Sequence, residues 1–183
     1  MVRTRLPMLA AVCMLALSRG AAADARAPSA DEWQIKSAFI YNFTKFVEWP
    51  EVALGAASQP IVIGVLGEKP LAQQLAAVVA GRNVNGRSIE VRPVRTAVEA
   101  RVTQLLFVTA AEESRYAAMR SELADSPVLT VGETPSFSVT GAIGFVQEGE
   151  KLRFEINIDV AERAHLKISS QLQKLAATIR REQ

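Results

Sequence analysis

Ile61-Val62-Ile63-Gly64-Val65-Leu66-Gly67-Glu68-Lys69-Pro70 is the stretch on which the fold turns. Six residues of mostly branched apolar type run on without alternation, the mark of a strand covered on both faces. Gly67 then turns the chain, and Pro70 suits the first turn of a helix that the sequence carries to about Val79. A doubly covered strand followed at once by a helix is the unit of a parallel α/β sheet.

Working outward, the unit recurs. Asn85-Gly86 predicts a turn, and Ser88 to Val94 alternates as a second strand. Thr96-x-x-Glu99 is a capping box on a short helix, and Leu105 to Val108 is another buried strand. Thr109-x-x-Glu112 predicts the cap of a helix to about Ala124, and Val128 to Val131 is a fourth strand. Toward the C-terminus the order changes. Ala142–Val146 and Leu152–Ile156 predict a hairpin around residues 147–151. In its second strand Leu152, Phe154 and Ile156 point one way and Arg153, Glu155 and Asn157 the other, so one face is left uncovered. Asp159-x-x-Glu162 predicts a short helix, and Ile168, Leu172, Leu175, Ala176 and Ile179 share the stripe of a last one. The expectation is one α/β domain over 31–183: a mostly parallel central sheet flanked by helices, with a C-terminal antiparallel hairpin. No internal repeat is visible.

Before the first strand, Ser29-x-x-Glu32 caps a helix whose predicted apolar face is Ile35, Phe39, Phe43, Phe46 and Val47. Pro50 forces Trp49 out of the helical region, and 51–59 is a small-residue loop. Six of the chain's aromatic residues lie between Trp33 and Trp49. Trp33, Ile40 and Tyr41 fall off the predicted face. They require either burial on a second side of the helix or, together with Trp49, an exposed patch for a partner or dimer.

The N-terminus predicts export. Arg3 and Arg5 precede an apolar run, Leu6 to Leu17, that is too short for the roughly 20 residues of a spanning helix. Ala21-Ala22-Ala23 offers a cleavage site after Ala23, with Ala25 as the alternative, and 24–30 reads as a flexible leader. Val12 before Cys13 argues against a lipoprotein signal. Cleavage takes Arg3, Arg5 and Arg19 with the signal and no acid, so the precursor's net charge of +2 becomes −1 in the remainder. The basic charge therefore belongs to the leader, and nothing implies nucleic-acid binding. No later segment is long and apolar enough to span a membrane.

Catalytic chemistry is hard to assemble from what remains. His165, the single histidine, reads as a surface turn residue. No His/Cys cluster has metal-ligand spacing, and no serine sits in a nucleophile elbow. The Gly64–Pro70 stretch departs from a phosphate-binding loop because Glu68 intervenes and Pro70 stands where a hydroxyl belongs. Asp31-Glu32 and Glu112-Glu113 suit first helical turns better than acid–base work. No cofactor or metal is implied.

Three blocks carry a resemblance: Lys36 to Pro50, ending Phe-Val-Glu-Trp-Pro; Ile61 to Pro70; and Val128 to Ala176, with Arg153-Phe-Glu-Ile-Asn157 and Lys167-Ile-Ser-Ser-Gln-Leu172. With the export signal they resemble the YfiR/HmsC-like family of periplasmic regulators. The resemblance implies a non-enzymatic protein that binds the periplasmic sensor portion of an inner-membrane diguanylate cyclase and represses it. Cyclic di-GMP, and with it biofilm and exopolysaccharide output, would be controlled in this way. It further implies a homodimer and an outer-membrane lipoprotein antagonist. It places partner binding on Arg153, Phe154, Glu155, Asn157, Leu166, Ile168 and Ser169. The best-known members carry redox-active disulfides, and Cys13 is the only cysteine here. A competing reading is a small-solute receptor binding at the carboxyl ends of the strands, at Gly67, Thr109 and Gly132. A hydrolase is a distant third. With Cys13 lost alongside the signal, thermal unfolding of the processed protein should be identical with and without reductant. A reductant-dependent Tm would overturn that processing.

Overall fold

A computed structural model describes residues 30–181. The predicted signal peptide, cleavage sites, Cys13, Ser29 cap and residues 24–29 of the leader lie outside the described residues; Ala30, expected in the leader, is the first residue of α1. The elements are α1 Ala30–Phe46, β1 Val47–Glu48, α2 Glu51–Leu54, β2 Ile61–Leu66, α3 Lys69–Val79, β3 Asn83–Val84 and β4 Arg87–Val94. Then come α4 Ala97–Arg101, β5 Leu105–Val108, α5 Glu113–Leu123, β6 Leu129–Gly132 and a 3₁₀ turn Pro135–Val139. β7 Ile143–Glu148, β8 Lys151–Asn157, α6 Ile158–Arg163, β9 Lys167–Ile168, α7 Ser170–Leu175 and β10 Thr178–Arg180 complete the order.

Eight strands form one mixed sheet in the order β10-β8-β7-β6-β5-β2-β4-β3. β4, β2, β5, β6 and β7 are mutually parallel neighbours. β8 returns antiparallel to β7, and β10 lies parallel to β8 along its outer side. Every residue of β2, β5 and β6 is buried, as their unbroken apolar runs require. Pro93 is tolerated in β4 because the paired β3 reaches only as far as Ser88, leaving the rest of that strand as an edge. Asn85 and Gly86 both take positive φ, which makes the tight turn between β3 and β4. The β7–β8 hairpin is tighter than expected: Glu148 pairs with Lys151 across Gly149-Glu150 alone.

Helices cover both faces. One core packs α1 and α3 against Ile63, Val65, Phe107, Val131, Phe145, Phe154 and Ile156. The other packs α4, α5 and the 3₁₀ turn against Leu66, Leu106 and Val108. In that second core Phe137 lies over Gly132 and Gly141, where any Cβ would fall inside its ring.

The capping boxes divide. Thr96 accepts from the Glu99 amide, and Glu99 returns a bond to the Arg95 amide. Thr109 caps no helix with its side chain; a 3₁₀ turn follows it, and α5 starts only at Glu113. Asn157, not Asp159, caps α6, its side chain accepting from Val160 N. The predicted last helix is also corrected: α7 ends at Leu175, and Thr178-Ile179-Arg180 forms β10. Ala177 N donates to Phe154 O, which draws the chain onto the edge of β8 instead of continuing the helix.

The face of α1 is rotated from the predicted one. Trp33, Lys36, Ser37, Ile40, Phe43 and Thr44 are its buried residues, whereas Ile35 is 48% exposed. Phe39 remains half-buried yet stacks on Phe43 and meets Phe145 and Phe154 at steep angles. Among the described residues the Trp33 indole N–H and the Ser37 hydroxyl are buried without a hydrogen-bond partner. An unsatisfied buried polar group costs about 1–3 kcal/mol. Ser37→Ala should therefore raise the urea midpoint by the equivalent of about 1 kcal/mol. Phe43→Ala should lower stability by about 3–5 kcal/mol, because the surrounding rings cannot collapse into its place. A destabilising Ser37→Ala would show that its hydroxyl has a partner in solution.

Candidate partner-docking site at the C-terminal strands

β8 alternates as its sequence demands. Phe154 and Ile156 enter the aromatic core and are buried. Arg153, Glu155 and Asn157 lie on the opposite face, but that face is not the uncovered one the alternation predicts. The 3₁₀ turn packs on it, and the Arg180 side chain reaches over it from β10 in the same sheet. Asn157 is buried, donates through Nδ2 to Ser138 O at 3.0 Å, and caps α6 through Oδ1. The Glu155 carboxylate accepts from Ser138 Oγ at 2.7 Å and from Arg180 Nη2 and Nε at 2.8 and 3.0 Å. Arg180 Nε also donates to Ser138 Oγ at 2.9 Å, so the three side chains form a closed triangle. Burial pushes the Glu155 carboxyl upward. The bonds from Ser138, Arg180 and Thr178 and the Arg180 charge outweigh it and hold the group below its ordinary value.

Arg153 is half-exposed and pairs with Glu148 at 3.2 Å; its other amino group points to Leu175 O at 3.5 Å. Leu166 and Ile168 are buried. β9 pairs antiparallel with β1, Val47 opposite Ile168, which ties the C-terminal segment to the end of α1. Ser169 caps α7, its hydroxyl accepting from Leu172 N. Of the seven predicted partner residues, Phe154, Asn157, Leu166 and Ile168 therefore hold the fold and offer no surface. Arg153, Glu155 and Ser169 reach solvent in part. Exposed nearby are Leu175 at the end of α7, Val139 on the 3₁₀ turn and Arg180 on β10, while Ile179 projects from the other face of β10, beside Ile156. Sequence reasoning missed the strand that carries Ile179 and Arg180 because the 3.6-residue spacing of Leu172, Leu175 and Ile179 matches a helix. The β-branched pair Thr178-Ile179 is the signal that could have shown a strand.

The predicted aromatic patch does not form. Trp33, Ile40 and Trp49 are buried in the chain's own core, and Trp49 Nε1 donates to Gln104 O at 2.9 Å. Tyr41 alone is half-exposed, under Arg82 at 4.8 Å and Lys45 at 5.6 Å. The helix is covered on two sides, by the sheet and by α3 and α7. The strand rim is packed as well. Thr109 fills the space beside Gly67, and Phe137 fills that beside Gly132. Just beyond, buried Lys36 pairs with Glu133 at 2.8 Å and Glu32 at 2.7 Å, while Glu133 accepts from Ala110 N. His165 is exposed at φ 57°, a turn position. Among the described residues no group of three or more His, Cys, Asp or Glu could hold a metal, and no helix is long and apolar enough to cross a membrane.

A family model described as YfiR/HmsC-like matches residues 33–177. The chain belongs to the YfiR/HmsC-like family. The match takes in the aromatic helix, the whole parallel sheet, the hairpin and α7, stopping just before β10. No curated protein matches the sequence. Among solved structures, the ABC domain in complex with L-Trp from Streptococcus pneumoniae is similar at a TM-score of 0.53 and 13% identity. The alignment covers 81% of this YfiR/HmsC-like chain, which spans about three-fifths (62%) of that one. The likeness is one of fold: a mostly parallel sheet with helices on both faces.

The Glu155 triangle has a pH signature. A carboxyl held below its ordinary value contributes stability that is complete above that value and is lost as pH falls through the lowered one. Glu155→Gln should leave neutral-pH folding intact and flatten the fall of stability below about pH 4.5, the ordinary carboxyl value. Parallel pH–stability curves for the two proteins below that point would contradict the network.

Proposed function

We propose that the protein is an exported, non-enzymatic regulator that binds the periplasmic sensor portion of an inner-membrane diguanylate cyclase and holds it inactive. Membership of the YfiR/HmsC-like family over residues 33–177 carries this reading. The cyclic nucleotide is made on the other side of the membrane and is not this protein's ligand. Its level, and the biofilm and exopolysaccharide output that follows it, answers to whether the cyclase is held or released. An outer-membrane lipoprotein antagonist fits the same scheme as the agent of release.

The surface that best supports such docking is the C-terminal one. Leu175 and Ile179 are 55% and 43% exposed, and Val139 is 61% exposed. Arg153 and Arg180 lie along the same sheet edge, each braced by a carboxylate, with Ile179 on the opposite face of β10 from Arg180. Apolar side chains and arginines that meet along one edge, on elements fixed by Ser138, Glu155 and Asn157, have the composition of a protein contact. Glu155 serves here as a brace for Arg180, so its replacement tests the fold as much as the contact.

Arg153→Glu and Leu175→Asp change exposed side chains and should shift Tm by little, since solvated surface groups contribute small amounts. Each should weaken capture of the purified cyclase sensor domain by at least about tenfold, equivalent to roughly 1.4 kcal/mol. Cells carrying them should show raised cyclic di-GMP. Full capture by both folded variants would move the contact elsewhere. Failure of the wild-type protein to bind any periplasmic cyclase domain encoded beside it would overturn the function itself.

A further inference from the structure

A cavity of about 690 Å³ opens at the N-terminal ends of the parallel strands, away from the C-terminal docking face and from the packed rim at Gly67, Thr109 and Gly132. Its floor is Val62, Thr103 and Gln104; its walls come from α2 and the 55–60 loop on one side and the end of α4 on the other. The volume falls in the range of small-molecule sites, roughly 300–1,000 Å³.

The walls are built, not incidental. One guanidinium, Arg87, donates to four carbonyls of the loop: Leu54, Gly55, Ala56 and Gln59. Gln104 spans the floor, its Oε1 accepting from Val62 N at 2.7 Å and its Nε2 donating to Ala53 O at 2.6 Å. Trp49 Nε1 fixes the Gln104 carbonyl in turn. A cavity held this way needs no ordering when a ligand enters, which removes one of the main costs of binding.

The lining chemistry selects the ligand. The polar side chains of the floor are already committed, because the Gln104 amide is bonded at both ends and the Thr103 hydroxyl donates to Ala100 O. What they leave for a guest is apolar: Val62 below, and at the mouth Val52 and Val102, 90% and 64% exposed. The charged lining residues are Arg92 and Arg101, with no acid beside them in the lining. Arg92 is held bidentate by Glu90 and is largely neutralised. Arg101 is different. Its Nε and Nη2 both donate to the Glu122 carbonyl, a neutral group that orients the guanidinium without cancelling its charge. A fixed cation beside an apolar, preformed hollow matches an anion carried on an apolar body.

We propose that this cavity binds a small organic anion, a carboxylate or sulfonate on an aromatic or aliphatic body, with Arg101 facing the anion and Val52, Val62 and Val102 the body. The test uses two probes that differ in one group. 8-Anilinonaphthalene-1-sulfonate carries the anion; N-phenyl-1-naphthylamine has the same rings without it. Fluorescence titration of the purified protein should give saturable binding of the sulfonate, with the neutral probe weaker by about tenfold or more. Val102→Phe, at an exposed position where the larger side chain is tolerated, should fill the mouth and weaken both probes. Arg101→Gln should bring the sulfonate down to the level of the neutral probe and leave the latter unchanged. Equal affinity of the two probes for the wild-type protein, sulfonate binding unaffected by Val102→Phe, or no saturable binding would each overturn the proposal. The Val102 variant decides the matter if the Arg101 variant does not fold.

Discussion

Six aromatic rings hold α1 to the sheet. Trp33 meets Phe107 edge-on at 5.6 Å, Phe107 meets Phe145 at 6.5 Å, and Phe145 meets Phe39 and Phe43 at 5.9 and 6.0 Å. Phe154 closes the chain against Phe43 at 5.1 Å and Phe39 at 5.5 Å. Each such pair adds about 0.5–1.5 kcal/mol beyond the area it buries. The seam joins β5 at the centre of the sheet to β7 and β8 toward its edge, so one helix sets the position of the parallel half and the hairpin together. Everything downstream depends on that registration: the β1–β9 pair, α6 and α7 are all placed by where α1 ends.

The polar ties follow from the same seam. α1 runs out at Phe46, whose carbonyl accepts from Ser169 N, and Trp49 then delivers its indole N–H to Gln104. One end of the 46–50 segment thus anchors the C-terminal strands, while the other sets the floor of the cavity under β2. A buried lysine, Lys36, sits nearly three turns earlier on the same helix, paired with Glu133 just after β6. Truncating Lys36 would leave the Glu133 carboxylate, 11% exposed, without its cation, whereas loss of Glu133 would leave Lys36 with Glu32 alone; such pairs specify position more than they add stability.

The parallel half was legible in the sequence because its signals are local and agree with one another. Ile61–Leu66, Leu105–Val108 and Val128–Val131 are short apolar runs between turn residues, and each became a fully buried strand or the greater part of one. Asn85-Gly86 and the Thr96–Glu99 box carry their mechanism in two to four residues. The errors fall where tertiary contacts overrule a local period. Ile35 matches the predicted face of α1 by spacing, yet Trp33 and Ile40 join Phe43 in the core instead, Trp33 against Phe107. Leu172, Leu175 and Ile179 fit a helix, yet the open edge of β8 offers Ala177 a backbone partner that no sequence window displays. For the site, Arg153 and Glu155 were visible as an alternating polar face. The partner of Glu155, Arg180, lies 25 residues on in a strand whose existence depends on that edge.

β10 is three residues long, every one of them exposed, and it lies along the outer side of a seven-residue strand. An uncovered strand the length of β8, carrying Leu152, Phe154 and Ile156, is a template on which another chain could extend the sheet. The short flap leaves only a three-residue ledge in its place, and it keeps Arg180 on that ledge. Sheet borders of this kind resist edge-to-edge aggregation by being too brief to propagate and by carrying charge. Three exposed residues that end in an arginine thus serve as colloidal protection for the sheet they border.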